Sequence, residues 1–222
     1  MIENFPNFCS YENKYDNILD IEEYAEVPKA LREYFSAIKP LVNKDELFAK
    51  MTEKQKDEII FDLEDYILKR LYGKLFPSLS SELDSVIYQK CEELSELKPE
   101  KIIKNKKLIK ESLLIEASKH FPLLNMGSSP KEKLDYMFKG LKIIYNLITL
   151  TIGTDISEQG SDEIYDPFYY SLINAKLKNL ATNAQYIIMY LNMKIKERFY
   201  IRIALDFAGT VEVLREGLKL EE

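Results

Sequence analysis

The sequence predicts an all-α fold. Only seven glycines and eight prolines occur among 222 residues, so few positions interrupt a helix. Most long segments carry apolar residues at the three- and four-residue spacing of an amphipathic helix. With 46% hydrophobic residues, the chain can bury a sizeable core. We therefore expect a multi-helix domain, since no competing strand pattern is visible.

The chain begins with a predicted helical extension. Residues 1–25 are rich in Asn and Tyr and show no clear periodicity. Pro28 then has the position of a first-turn proline in a short helix that ends near Ile38. We assign residues 1–67 to a helical bundle extension and residues 68–222 to a core domain, the two forming one compact unit.

A capping box predicts the strongest early helix. Thr52 is followed three residues later by Gln55, and the pair can satisfy each other's backbone donors. Apolar residues then recur at helical spacing until Phe76 and Pro77, which end the helix. Further helices are predicted at about 82–97, 108–119, 178–192 and 196–217.

The clearest helix start lies near the middle of the chain. Ser129 is a capping residue, Pro130 is preset for the first turn, and Glu132 can reach back to the cap. Gly153 ends this helix, and the polar loop 154–160 leads into the next one. We expect this helix to be central, because one apolar stripe runs along it: Leu134, Met137, Phe138, Leu141, Ile144, Tyr145 and Ile148.

Composition and motifs exclude several classes of function. The net charge of −6 and the pI near 5.2 argue against a nucleic-acid binder. Cys9 and Cys91 lack the close spacing of a zinc site. A Ser-His-Asp triad would have to use the sole histidine, His120, and nothing around it resembles a nucleophile elbow. No phosphate-binding glycine loop occurs, so we expect neither a cofactor nor a metal. No apolar stretch approaches the roughly 20 residues that span a bilayer.

Two charged segments have ordinary explanations. Glu92, Glu93 and Glu96 could in principle serve acid-base chemistry. They fall on an otherwise polar helix face, however, which favours a solvated surface. Six lysines between Lys98 and Lys110 either contact an anionic membrane surface peripherally or form a solvated face.

The order of motifs resembles the vacuolar-protein-sorting-nine (Vps-nine) domain. L-Y-G-K-L-F-P-S (71–78) and C-E-E-L-S-E-L-K-P-E (91–100) look like its opening helices. S-P-K-E-K-L-D-Y-M-F-K-G-L-K-I-I-Y-N-L (129–147) is similar to its central capped helix. G-S-D-E-I-Y-D-P-F-Y-Y-S-L-I-N-A (160–175) and L-A-T-N-A-Q-Y-I (180–187) look like the acidic loop-helix signature and the helix after it. The likeness extends from about residue 68 to residue 214.

The resemblance implies a guanine nucleotide exchange factor for early-endosomal Rab GTPases of the Rab-five subfamily. In the family, an aspartate at the loop-to-helix junction enters the GTPase phosphate and Mg²⁺ site. Counting back from Gln185 and Tyr186 assigns this role to Asp162. The alternative is that Asp162 is only a helix cap or a first-turn acid, which stabilises the helix by about 0.3 to 1 kcal/mol through the helix dipole.

The sequence departs from the family pattern near this acid. The family proline one turn later falls on Asp166, and the proline here is Pro167. A shift of one residue turns a helix by about 100°. Either Pro167 has a different role, or the register slips and Glu163 is the inserted acid.

The last helix supplies further expected contacts. Tyr200 matches the family's tyrosine near the start of the last helix, so the resemblance implies a contact between Tyr200 and a GTPase switch; an ordinary core aromatic is the alternative. Ile203 stands where the family has a threonine, which replaces a polar contact by an apolar one. Tyr186 and Tyr145 match family aromatics that we interpret as core residues.

Two other hypotheses remain beside exchange. A degenerate Rab-binding module without exchange activity fits the departures at Asp166, Pro167 and Ile203, and a helical interaction scaffold fits the 15 tyrosines. We expect the protein to be a cytoplasmic monomer. If it is an exchange factor, we expect it to act at endosomal membranes. The Lys-, Ile- and Asn-rich, Trp-free composition also fits a bacterial effector that acts in a host cytosol.

Overall fold

The computed structural model describes residues 26–79, 82–153, 161–191 and 198–216, without the side chains of Ser161, Asp162 and Arg198. These ranges contain no β-strand, which confirms the all-α prediction. The α-helices are α1 (Glu26–Lys44), α2 (Glu53–Leu75), α3 (Leu83–Ser95), α4 (Glu111–Ser118), α5 (Pro130–Ile152), α6 (Ser161–Ala175), α7 (Leu180–Tyr190) and α8 (Arg198–Glu216). Short 3₁₀ helices lie at Glu46–Phe48, Pro77–Leu79, Pro99–Lys101, Lys106–Leu108 and Phe121–Met126.

Local signals set the ends of α2 and α5. Thr52 accepts from the backbone N–H of Gln55, and the Gln55 side chain accepts from the backbone N–H of Thr52, so the capping box is confirmed. Ser129 caps α5 by accepting from the N–H of Glu132 at 3.2 Å. Gly153 ends α5 with a φ of 77°, a left-handed conformation that favours glycine.

Helix α1 is longer than the sequence pattern predicts. It continues from Ile38 to Lys44 and carries Pro40 in its interior. Proline costs a helix one backbone hydrogen bond. Val42 is 8% exposed and lies seven residues after the buried Phe35, on the same helix face. Burial of Val42 therefore explains why the helix passes Pro40.

Helix α5 lies at the centre of the main hydrophobic core, as predicted. Its apolar stripe is buried, and Phe138 and Tyr145 at its edge are partly buried. The helix packs against α4, α6, α7 and α8. Phe121 before α5 meets Phe168 of α6 edge-on at 5.5 Å between ring centroids. This core fixes the positions of α6 and α8, which carry the expected functional residues.

A charged network attaches α2 to the start of α5. The Ser129 hydroxyl donates to Asp65, which also pairs with Lys69 at 2.6 Å. Lys69 in turn contacts Oε1 of Glu132 at 2.9 Å. The boundary predicted between residues 67 and 68 lies within α2, and the helix is continuous across it. The extension and the start of the central helix are therefore directly joined.

A lysine is buried where α2, α5 and α7 meet. Lys133 has no exposed surface, and its Nζ donates to the Leu124 carbonyl at 3.1 Å and to Oδ1 of Asn183 at 2.8 Å. Burial lowers the pKa of Lys133 to about 8. Three ring centroids lie around this Nζ, at 5.0 Å for Tyr72, 4.5 Å for Phe76 and 5.7 Å for Tyr186.

A second buried polar contact holds the start of α7. Thr182 donates to Asp84 of α3 through its hydroxyl and, at 3.1 Å, through its backbone N–H. The same hydroxyl lies 3.3 Å from the Leu79 carbonyl. Asp84 thereby accepts a hydrogen bond from one of the first-turn backbone N–H groups of α7, which have no partner within the helix. The contact fixes α3 and α7 relative to each other.

Candidate functional site

Asp162 lies in the first turn of α6. The helix begins at Ser161, so Asp162 is its second residue, while the loop 154–160 before it lies outside the described residues. The remainder of α6 is anchored in the core by Ile164, Phe168 and Leu172, each at most 7% exposed. The first turn is therefore held by a rigid helix body. A negatively charged side chain in this position is stabilised by the positive end of the helix dipole.

Glu163 and Asp166 have different surroundings on α6. Glu163 is half-buried. Oδ2 of Asp166 accepts from the backbone N–H of Lys104 at 3.0 Å. This bond connects α6 to the lysine-rich segment 98–110, so Asp166 contributes to the packing of that segment. The lysines of the segment are exposed, as are Glu92, Glu93 and Glu96, in line with solvated faces.

Pro167 is buried in the interior of α6. Proline has no N–H, so the carbonyl of Glu163 cannot receive the usual helical bond from residue 167. The structure therefore puts Pro167 against the core, one helical turn after Glu163. Its side chain has little surface for a partner in this conformation.

Tyr200 connects three helices. Its hydroxyl donates to Oδ1 of Asp135 on α5 at 2.6 Å. Its ring centroid lies 6.0 Å from that of Phe61 on α2 and 5.8 Å from that of Phe199. The other carboxylate oxygen of Asp135 pairs with Lys131 at 3.3 Å. Tyr200 remains half-buried, so part of its ring faces solvent.

A small depression adjoins this tyrosine. It shares Phe61 and Lys131 with the surroundings of Tyr200, and so it brings α2 and the start of α5 to the same surface. The residues that line it are Phe61, Glu64, Asp65, Leu68, Pro130, Lys131, Tyr190 and Leu191.

Ile203 points into the core. It has 0% exposed surface and belongs to the main hydrophobic cluster together with Ala204 and Phe207 of the same helix. The structure therefore separates Ile203 from the solvent-facing part of Tyr200, although both lie on α8. A partner that touches the Tyr200 surface meets Ile203 only if α8 moves.

The remaining aromatic residues have the predicted core roles. Tyr186 is fully buried and its hydroxyl donates to the Ser128 carbonyl at 3.2 Å. Tyr145 is partly buried beside the core, and burial raises the pKa of its hydroxyl to about 12. Helix α6 contacts α8 through Tyr165, whose hydroxyl lies 3.5 Å from the Gly209 carbonyl.

The described residues contain neither a metal-binding cluster nor an accessible cysteine thiol. No group of three or more His, Cys, Asp or Glu side chains there could hold a metal ion. Cys91 is 1% exposed, and burial raises the pKa of its thiol to about 12. Cys9 lies outside the described residues. Among those residues, no helix is both long and apolar enough to cross a membrane.

The sequence alone did not indicate Asp135 and Phe61 as neighbours of Tyr200. Asp135 precedes Tyr200 by 65 residues in the chain. Phe61 falls in the predicted extension, residues 1–67, to which no site residue was assigned. Asp135 lies within the 129–147 segment but had no role assigned to it there, and Phe61 belongs to no quoted motif. The signal that joins them to Tyr200 is their proximity in the fold.

Comparison with known proteins identifies the central segment. Residues 114–208 match the Vacuolar sorting protein 9 (VPS9) domain. Two plant proteins called Vacuolar protein sorting-associated protein 9A are similar to this chain. The Arabidopsis thaliana protein is 26% identical over 164 residues, which cover 72% of this chain and 32% of the relative. The Oryza sativa subsp. japonica protein is 25% identical over 147 residues, covering 64% and 31%. The alignments thus span about a third of these relatives' length.

Proposed function

We propose that this chain, whose residues 114–208 match the VPS9 domain, is a guanine nucleotide exchange factor for a Rab GTPase. The observation that carries the proposal is the extent of this match. It runs from α4 into α8 and includes both Asp162 at the start of α6 and Tyr200 on α8. Rabs of the early-endosomal, Rab-five subfamily are the proposed substrates, and the cytosolic face of endosomes is the proposed place of action.

Asp162 is the proposed acid that displaces nucleotide. A GTPase holds its nucleotide through Mg²⁺ and the lysine of its phosphate-binding loop. A carboxylate brought into that site pairs with the lysine and competes with phosphate and metal. Asp162 suits this role because the first turn of α6 presents it on a helix whose body is fixed in the core. Glu163, the next residue along α6, is the alternative acid.

The other residues expected at the GTPase-binding site fall into two groups, one partly exposed and one buried. Tyr200 is proposed to contact the GTPase switches, because part of its ring faces solvent. Pro167 and Ile203 are buried, so we propose that they support α6 and α8 from behind the contact surface. Asp166 is proposed to hold the α6 side of the surface through its bond to the Lys104 backbone.

Release of fluorescent GDP from a panel of Rab GTPases tests this function. The chain is added at substoichiometric amounts, in its wild-type form and as Asp162→Ala, Glu163→Ala and Glu116→Ala. Glu116 is the matched control, since it is an exposed acid on α4 whose ion pair with Lys119 contributes little. We expect acceleration that Asp162→Ala lowers about a hundredfold and that Glu116→Ala leaves unchanged.

One observation favours a second candidate, a Rab-binding module without exchange. The position at which the family has a contacting threonine is occupied here by Ile203, which has no exposed surface. Binding of the chain to the same Rabs, measured beside GDP release, separates the two functions. A stable complex with a Rab at an unchanged rate of GDP release supports the binding module and contradicts exchange.

A further inference from the structure

The hydrogen bond between Tyr200 and Asp135 links two helices at the proposed GTPase surface. The donor–acceptor distance is 2.6 Å, and the acceptor is a carboxylate oxygen of α5. Charge-assisted hydrogen bonds of this kind are shorter and stronger than neutral ones. The bond therefore restricts how the phenol end of Tyr200 can move.

The acceptor is itself held in place. Lys131 lies one helical turn before Asp135 on α5 and pairs with its second carboxylate oxygen at 3.3 Å. Two oxygens of one carboxylate thus have separate partners, which limits rotation of the Asp135 side chain. The side chain of Asp135 is still 45% exposed, so the pair lies at the protein surface rather than in the core.

The ring of Tyr200 is supported from a second side. Phe61 of α2 and Phe199 of α8 have centroids 6.0 and 5.8 Å away, within the range of favourable aromatic contacts. Phe199 also meets Phe138 of α5 edge-on at 4.5 Å. These contacts confine the ring but leave its hydroxyl to be directed by Asp135.

We propose that Asp135 is a positioning residue for nucleotide exchange, which fixes the orientation in which Tyr200 meets the GTPase. This inference rests on the proposed exchange function and on the proposed contact by Tyr200. Asp135 acts through the Tyr200 hydroxyl. Its removal therefore impairs exchange only as far as that hydroxyl contributes.

A purely structural role for Asp135 makes a different prediction. If the hydrogen bond between Tyr200 and Asp135 served stability alone, its removal would lower the melting temperature without a specific effect on exchange. The two roles are separated by a double-mutant cycle, because a residue that acts through another shows non-additive effects. Asp135→Asn supplies the conservative variant, since its amide oxygen can accept the same hydrogen bond.

The experiment measures kcat/KM for GDP release from an early-endosomal Rab, together with the melting temperature. The proteins are the wild type, Asp135→Ala, Asp135→Asn, Tyr200→Phe and the double variant Asp135→Ala/Tyr200→Phe. We expect Asp135→Ala and Tyr200→Phe each to lower kcat/KM by about five- to tenfold. The double variant should lose no more than either single variant, and Asp135→Asn should retain most of the wild-type rate.

Other outcomes overturn the inference in distinguishable ways. An Asp135→Ala variant with the wild-type kcat/KM overturns it and leaves exchange by Asp162 standing. Losses that multiply in the double variant also overturn it, since the two residues then act independently. A wild-type chain that accelerates release from none of the Rabs overturns the exchange function, and this inference with it.

Discussion

The ammonium of Lys133 lies 2.8 Å from Oδ1 of Asn183, inside the junction of α2, α5 and α7. Two helices of the matched VPS9 segment are thereby joined next to α2, which precedes that segment. Tyr72 on α2 contributes both a ring centroid 5.0 Å from this Nζ and a hydroxyl 3.3 Å from it. One buried cation thus contacts three helices.

This lysine predicts a pH dependence of stability. Burial lowers its pKa from 10.5 to about 8, so between these values the unfolded chain binds more protons than the folded chain. Stability from this group therefore rises with pH across that window. From pH 7 to pH 9 we expect a gain of about 1 kcal/mol in the free energy of unfolding, relative to Lys133→Met.

Urea unfolding at the two pH values measures this difference. The comparison with Lys133→Met is needed because other groups act in the opposite direction. Burial raises the pKa of Cys91 from 9.0 to about 12, and stability from that thiol falls as pH rises through its unfolded pKa. A gap between wild type and Lys133→Met that stays constant from pH 7 to pH 9 contradicts the assignment.

Two glycines form a matched pair for packing. A Cβ on Gly140 of α5 would lie 2.6 Å from Cε1 of Phe121 and 2.9 Å from the Ala117 carbonyl oxygen. A Cβ on Gly73 of α2 meets nothing within 4 Å. We expect Gly140→Ala to lower the free energy of unfolding by about 2 kcal/mol, because the close contact is overpacked. Gly73→Ala should raise it by about 0.5 to 1 kcal/mol through helix propensity. Denaturant unfolding checks both, and equal effects would refute the close approach of α4 and α5.

Ser129 both caps α5 and connects it to α2. Its oxygen accepts from the N–H of Glu132, and its hydroxyl donates to Asp65. Ser129→Ala removes both bonds, and we expect a loss of about 1 to 2 kcal/mol in unfolding free energy. Ser112→Ala is the control, as Ser112 is exposed on α4. Indistinguishable stabilities of the two variants would contradict the double role.

The Cys91 thiol should be inert in the folded chain. It is 1% exposed and its pKa is raised to about 12, whereas reactive thiols are accessible and ionised. In a Cys9→Ser background, we expect an aromatic disulfide reagent at pH 8 to react with Cys91 only after denaturation. The absorbance of the released thiolate measures the reaction. Immediate full reaction of the native protein would show that the α3 face is open.

Local patterns predicted most of the helices. Thr52 with Gln55 and Ser129 with Glu132 use contacts three residues apart, so the sequence alone contains both partners of each cap. The extent of α1 past Pro40 was missed, because it depends on burial of Val42 against other elements. The 3₁₀ segment Phe121–Met126 was missed, because the sequence pattern predicted no further helix between residue 119 and Ser129.

The site was predicted less completely than the fold. Motif order assigned Asp162 and Tyr200 to the site, and both lie within the segment that matches the VPS9 domain. Burial of Pro167 and Ile203 could not be inferred, because each depends on how α6 and α8 rotate against α5. Lys133 stands in a K-E-K context typical of surface lysines, yet it is fully buried. Its burial depends on rings from distant parts of the chain, Phe76 just after α2 and Tyr186 on α7.

The most direct test of the exchange function replaces the Asp162 carboxylate by an amide of the same shape. Asp162→Asn and wild type are compared in release of fluorescent GDP from an early-endosomal Rab, at catalytic amounts and fixed Mg²⁺. If the acid acts through its charge on the phosphate-loop lysine and Mg²⁺ site, we expect kcat/KM to fall at least about tenfold. The melting temperature should fall by no more than about 4 °C, since the charge contributes at most about 1 kcal/mol at the helix start. Equal rates for the two proteins would contradict nucleotide displacement by Asp162.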